Sequence, residues 1–220
     1  LFSQASKKQS KGVVNLVSKP EFNYVFMQSN EMLIKGEEHP KLSKLIELLK
    51  EESINESTKI IIFTQFRDTA SIIAKKLNEI PKIRAKVFVG QTKKISDDKK
   101  ENTGLSQKEQ KKMIQDFSEG KINILCATSI GEEGLDIPEV NAVIFYEPIP
   151  SAIRSIQRRG RTARLMKGKL IVLITKNTRD QTFYYASKSK EKRMNSAIKE
   201  IKDNLANGNS IDKQKKLFSL

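Results

Sequence analysis

Between residues 59 and 175 short apolar runs alternate with amphipathic segments. Residues 59–64, 85–89, 122–128, 142–146 and 170–175 are compact and rich in Ile, Val, Leu and Phe, which predicts buried strands. Residues 68–80 place Ala70, Ile73, Ala74 and Leu77 on one helical face. Ser106 and Glu109 have the spacing of a capping box, which opens a helix to Ser118, and Gly120 stops it. Residues 151–159 predict a helix pointing Ile153 and Ile156 inward, and a charged helix runs from 179 to about 205. Upstream, Pro40 suits a first helical turn, and Leu42, Leu45, Ile46, Leu48 and Leu49 mark one apolar face to about Glu52. Before residue 35 the pattern is weak, with Phe22, Val25, Phe26, Met32 and Leu33 at loosely helical spacing, as at the end of a preceding helical element. Residues 92–104 read as an exposed loop. Residues 208–220 read as a frayed, Lys-rich tail.

Near-continuous apolar strands alternating with helices predict an α/β fold, a parallel sheet covered on both faces and joined by right-handed crossovers. Ligands of such sheets bind beyond the carboxyl ends of the strands. Residues 64–67, 90–91 and 128–134 all follow strands, so they are expected to share one edge.

Charge narrows the partner. Among 220 residues, Lys and Arg number 41 against 26 for Asp and Glu, a formal charge of +15. The expected partner is a polyanion, nucleic acid first and an anionic membrane surface second. No apolar run approaches the roughly 20 residues that cross a bilayer, and no stretch has the form of a secretory signal. A cytoplasmic protein without a membrane partner is expected. The chain starts at Leu1 rather than Met and reads as part of something longer. One cysteine, Cys126, and one histidine, His39, are too few for a zinc site, a disulfide or a Cys-His nucleophile. No metal ligands are expected. Cys126 lies in an apolar run and reads as a core thiol, and His39 before Pro40 as a turn residue.

Two segments carry candidate chemistry. Gln157-Arg-Arg-Gly-Arg-Thr-Ala-Arg164 lies in an acid-free stretch from 152 to 170. At helical spacing Gln157, Arg161 and Arg164 share a face, and two guanidinium forks could grip a phosphate. The alternatives are a solvated Arg-rich helix or one that only follows a nucleic-acid backbone. Ala127-Thr-Ser-Ile-Gly-Glu-Glu-Gly-Leu-Asp-Ile-Pro138 ends a strand with two glycines and an Asp in an apolar setting, which suits an anion and a ribose hydroxyl. A plain turn-and-cap reading explains Gly131, Gly134 and Asp136 as cheaply.

Together with Ile61-Ile-Phe-Thr-Gln-Phe-Arg67 and Phe88-Val-Gly-Gln91, these segments resemble, in order and spacing, motifs IV, IVa, V and VI of superfamily 2 helicases. The resemblance spans roughly residues 40–175. The runs Glu132-Glu-Gly-Leu-Asp-Ile-Pro-Glu139, Phe145-Tyr-Glu-Pro-Ile-Pro-Ser-Ala-Ile-Arg-Ser-Ile-Gln-Arg-Arg-Gly-Arg161 and Thr178-Arg-Asp180 are similar to archaeal Hef-type helicases, relatives of the Fanconi anaemia M fork helicase. That resemblance implies the second RecA-like domain of a DNA helicase acting on branched or fork DNA. It implies that Arg161 and Arg164 are arginine fingers, with Gln157 facing the γ-phosphate and attacking water. Gly134 and Asp136 would face the nucleotide, and Gln65, Phe66, Arg67, Gly90, Gln91, Thr128 and Ser129 the nucleic-acid backbone. Ala163 departs from the commoner glycine of the pattern, which bears on the reach of Arg164.

There is no phosphate-loop motif and no Asp-Glu dipeptide to hold magnesium. The resemblance therefore implies ATP with Mg2+ held mainly by the first RecA-like domain of the same protein, and an isolated chain that does not hydrolyse ATP. The expected organisation is 1–39 as the end of a helical insertion or linker, 40–205 as the RecA-like domain with its C-terminal helix, and 206–220 as a polar tail. Residues Thr182-Phe-Tyr-Tyr185 read as aromatics docking the last helix; the alternative is a grip on single-stranded DNA with the lysines that follow. Two other functions stay open: a basic nucleic-acid-binding module without ATP coupling, and a helicase domain of the same superfamily directed to double-stranded RNA.

Overall fold

The computed structural model describes residues 11–51, 57–90, 104–128, 138–149 and 169–206. The chain divides into two compact units, Leu1–Lys44 and Leu45–Leu220.

In the first unit, α1 (Lys11–Val17) and α2 (Pro20–Ile34) bury no residue. Pro20 opens α2, where its missing N–H costs nothing. Gly36, at φ 68°, closes it: its N–H donates to Leu33 O and that of Glu37 to Met32 O, the paired bonds of a Schellman stop. Only the backbone angle demands glycine there, since a Cβ would meet nothing within 4 Å. Helix α3 (Pro40–Glu51) crosses the division between units. At its start the Lys41 N–H donates to His39 Nδ1 at 3.1 Å, the turn role expected of the single histidine.

The second unit is built on five parallel strands, β1 (Ile60–Phe63), β2 (Ala85–Phe88), β3 (Ile124–Ala127), β4 (Ala142–Phe145) and β5 (Lys169–Val172). Their order is β2-β3-β1-β4-β5. Burial follows position: β1, β3 and β4 are buried at every residue, whereas the edge strands β2 and β5 are partly exposed. Strand β1 pairs with β3 on one side, Phe63 opposite Ala127, and with β4 on the other, Phe63 opposite Phe145.

Helix α4 (Arg67–Leu77) carries the chain from β1 to β2, and α5 (Gln107–Ser118) carries it back to β3. These crossovers run in opposite directions along the sheet, so right-handedness puts them on opposite faces. Helix α5 brings Phe117, Met113 and Ile114 onto Ile61, Phe63, Leu125, Val143 and Phe145. Helix α4 buries Ala70, Ile73, Ala74 and Leu77 and packs on β2 and β3, on the face carrying the alternate residues. The capping box of α5 is complete: the Ser106 side chain accepts from Glu109 N, and the Glu109 carboxylate accepts from Ser106 N at 2.7 Å. Gly120, at φ 78°, ends the helix as expected. Cys126 is fully buried.

Several expected boundaries shift by a few residues. Helix α4 stops at Leu77 because Asn78 turns its amide to the next strand, accepting from Ala85 N and donating to Ala85 O. Strand β3 is shorter than residues 122–128, yet its flanks stay bonded: Asn123 N donates to Arg84 O and Thr128 N to Phe88 O. Strand β5 ends at Val172 rather than 175, with one further ladder bond from Leu173 N to Phe145 O at 2.9 Å. The Thr175 N–H turns to Asp180 at 3.1 Å, where α6 (Arg179–Ala206) begins. The expected helix at 151–159 and the loop at 92–103 lie outside the described residues.

Candidate nucleic-acid interface

The connection leaving β1 runs toward β2, whereas those leaving β3 and β4 run the other way, so the carboxyl end of β1 lies at a switch of direction. In this architecture ligands usually bind outside the carboxyl ends of the strands at such a switch.

The segment after β1 is held from below. Thr64 is buried, its N–H continues the ladder to Ala127 O at 2.9 Å, and its hydroxyl donates to Phe66 O at 2.8 Å. That bond curls the chain into α4, with Phe66 at the N-cap in an extended conformation and without a side-chain cap. Gln65 is exposed, and Phe66 is 61% exposed, a large ring facing solvent beside the cation of Arg67. Arg67 reaches past β3 to the end of β2, its Nη2 lying 3.5 Å from Gly90 O.

Gly90 is buried, and its carbonyl also accepts from Leu105 N at 3.2 Å. One residue earlier, Val89 O accepts from the buried Gln110 amide at 3.0 Å. Thr128 is buried, with its N–H on Phe88 O at 3.2 Å. Of the residues expected to face nucleic acid, Gln65, Phe66, Arg67, Gly90 and Thr128 therefore occupy one sheet edge, with Arg67 and Gly90 in contact. Gln91 and Ser129 lie outside the described residues, as do Gly134, Asp136, Gln157, Arg161 and Arg164. Among the described residues, no three His, Cys, Asp or Glu side chains gather as a metal site.

Two residues of this edge were not singled out from the sequence. Glu147, just past β4, accepts from Gln65 N through Oε2 at 3.0 Å and ties the β4 loop to the β1 loop. Gln110 holds the end of β2 from α5. The strand-end rule would reach Glu147 by its place after an apolar run; nothing in the sequence marks Gln110. Chemically, the edge offers an exposed ring, a guanidinium and an amide on a backbone fixed by buried bonds, a set suited to phosphates and bases.

The model of the helicase conserved C-terminal domain matches residues 40–166. The chain is 41% identical over 201 residues to a Methanocaldococcus jannaschii protein provisionally named an ATP-dependent RNA helicase, covering 90% of this chain and 24% of that protein. It is 37% identical over 196 residues to the ATP-dependent DNA helicase mph1 of Sclerotinia sclerotiorum, covering 82% of this chain and 15% of the relative. Among solved structures, the Pyrococcus furiosus Hef helicase domain superposes with a TM-score of 0.60 at 41% identity, covering 84% of this chain and 36% of that one. The C-terminal domain of the DEAD-box protein Dbp5 gives 0.57 at 26% identity, covering 70% and 79%. The chain thus spans about a quarter or less of the curated relatives it matches. A family match over more than half of the chain joins a parallel sheet whose order and helices are those of a RecA-like domain, and the chain belongs to the helicase conserved C-terminal domain family.

Proposed function

We propose that this chain is the C-terminal motor domain of an ATP-dependent DNA helicase or translocase acting on branched or fork DNA, with residues 40–205 as the RecA-like domain. The observation that carries the reading is the carboxyl edge, where Gln65, Phe66, Arg67, Gly90 and Thr128 lie together within a helicase C-terminal fold. In this reading residues 1–39 are the end of a helical insertion and 206–220 a polar tail.

The strand passes over Phe66, Arg67 and Gly90, with Gln91 and Ser129 continuing the track. ATP with Mg2+ supplies the free energy and is held mainly by the first RecA-like domain of the same protein. Arg161 and Arg164 reach across the cleft to the γ-phosphate, Gln157 orients the attacking water, and Gly134 and Asp136 face the nucleotide. The sequence supports these roles through the order of its motifs. The lack of a phosphate-loop motif in the sequence supports placing the nucleotide's other wall on that first domain. Such a protein is expected to work in the cytoplasm; among the described residues no helix is long and apolar enough to cross a membrane.

A second reading keeps the motor and changes the polymer. It is favoured by the RNA-helicase name of the Methanocaldococcus relative. Nucleic-acid-stimulated ATP hydrolysis by the full-length protein decides between them. Stronger stimulation by forked DNA than by double-stranded RNA is expected, with Arg67→Gln raising the DNA concentration needed for half-stimulation. The reverse preference would select the RNA reading, and no stimulation by either would leave only an ATP-independent binding module.

A further inference from the structure

We propose that the exposed face of α6 from Tyr185 to Lys199 is a second surface for single-stranded nucleic acid, separate from the strand-end edge; the proposal rests on the nucleic-acid reading above. The three consecutive aromatics at the start of α6 divide into two roles. Phe183 is half-buried under the Arg179 guanidinium, 4.9 Å from its ring centroid, and the half-buried Tyr184 lines one crevice with Phe145, Ile149 and Val172. Tyr184 thus faces the sheet, whereas Phe183 packs under a cation of its own helix. Tyr185 is 60% exposed, and its ring meets Tyr184 edge-to-face, with centroids 5.5 Å apart and planes at 70°. A docked neighbour thus orients a ring that itself faces solvent, as a stacking platform requires.

From Tyr185 the same helix face continues through Lys188, Ser189, Lys192, Ser196 and Lys199, all exposed. At helical rise this stripe is about 21 Å long. Lys188, Lys192 and Lys199 form no ion pair among the described residues, unlike Lys35, Lys76 and Lys121, which each have a carboxylate within 4 Å. Asn195 and the half-buried Glu191 line the same face, so it carries three lysines against one carboxylate; Glu200 lies on its flank and Asp203 a turn beyond it. Net positive charge in a row, with small hydroxyl side chains between, suits a phosphate backbone. The platform selects a single strand, whose unstacked bases can meet a ring; a closed duplex offers it nothing. Helix α6 begins where Asp180 binds the Thr175 amide just past β5, so the stripe starts about 9 Å of helical rise from the sheet's carboxyl edge.

The test is fluorescence anisotropy of a labelled oligothymidylate against the full chain over a range of salt, with Arg67→Gln as the strand-end comparator. Replacing Lys188, Lys192 and Lys199 together by Gln should weaken binding about tenfold or more and reduce the slope of log affinity against log salt by about 2, at about 0.7 per lost phosphate contact. Tyr185→Ala should cost about five- to a hundredfold, and Tyr185→Phe should restore it. All these side chains are exposed, so unchanged melting temperatures are expected. If Arg67→Gln weakens binding while the α6 variants bind like the unaltered chain, the α6 surface is wrong and the strand-end edge stands. If Tyr185→Ala is neutral and duplex binds more tightly than single strand, the single-strand assignment is overturned. If the unaltered chain does not bind at low salt, both proposals fall.

Discussion

Asn123 is 1% exposed and spends its whole amide on one turn: Oδ1 accepts from Arg84 N at 2.7 Å, and Nδ2 donates to Lys82 O at 2.8 Å. That turn holds Lys82 at φ 67°, a left-handed angle that an L side chain adopts only when its surroundings impose it. Asn123→Ala leaves a part-buried donor and acceptor without the amide, so denaturant unfolding should show a loss of about 1 kcal/mol; a loss within error would mean that water replaces the amide. Cys126 is the complementary case of a group kept neutral by its surroundings. Burial pushes its thiol from an ordinary value of 9.0 up to about 12. The unfolded chain therefore releases this proton first, and stability that is full below pH 9 falls as pH rises toward 12. A thiol reagent at pH 8 should label the folded chain far more slowly than the denatured one, and equal rates would contradict the buried placement. The apolar run around Cys126 already told its place, because such a run has few uses other than a core strand. Asn123 was not legible: its partners lie 39 and 41 residues away.

Local signals carry the elements. The α5 cap is visible in four consecutive residues and forms as those residues require, and Ser106→Ala should lower stability by about 1 kcal/mol in thermal or denaturant unfolding. The hydrogen bonds from the Ser106 side chain and backbone hold the Glu109 carboxyl below its ordinary value. A depressed carboxyl stabilises the fold above its unfolded value and ceases to do so as pH falls through the folded one. Glu109→Gln should therefore flatten part of the acid limb of a stability-against-pH profile, and an unchanged limb would remove the cap from the account. Helix ends were less legible because partners outside the helix set them, as the Ala85 backbone does for α4 through Asn78. The candidate edge divides in the same way. The positions of Gln65, Arg67, Gly90 and Thr128 follow from strand alternation and a parallel sheet, whereas the Glu147 brace joins residues 82 apart in sequence.

At the scale of the whole molecule, the sheet order turns separate motifs into one surface. Strand β1 lies between β3 and β4, so the segments after all three must emerge side by side, and the end of β2 is brought in through β3. A formal charge of +15 then draws a polyanion to the molecule at a rate that depends on salt, without selecting where it binds. In the proposed function, coupling that binding to ATP falls to the guanidiniums of the 157–164 segment. The most direct measurement is DNA-stimulated ATP hydrolysis by the full-length protein with and without Arg161→Ala, alongside equilibrium ATP binding. A finger that acts only on the transferring phosphoryl group should cost on the order of 10³-fold or more in turnover while leaving ATP affinity nearly unchanged. Undiminished turnover in the Arg161→Ala protein would contradict the motor assignment of that segment.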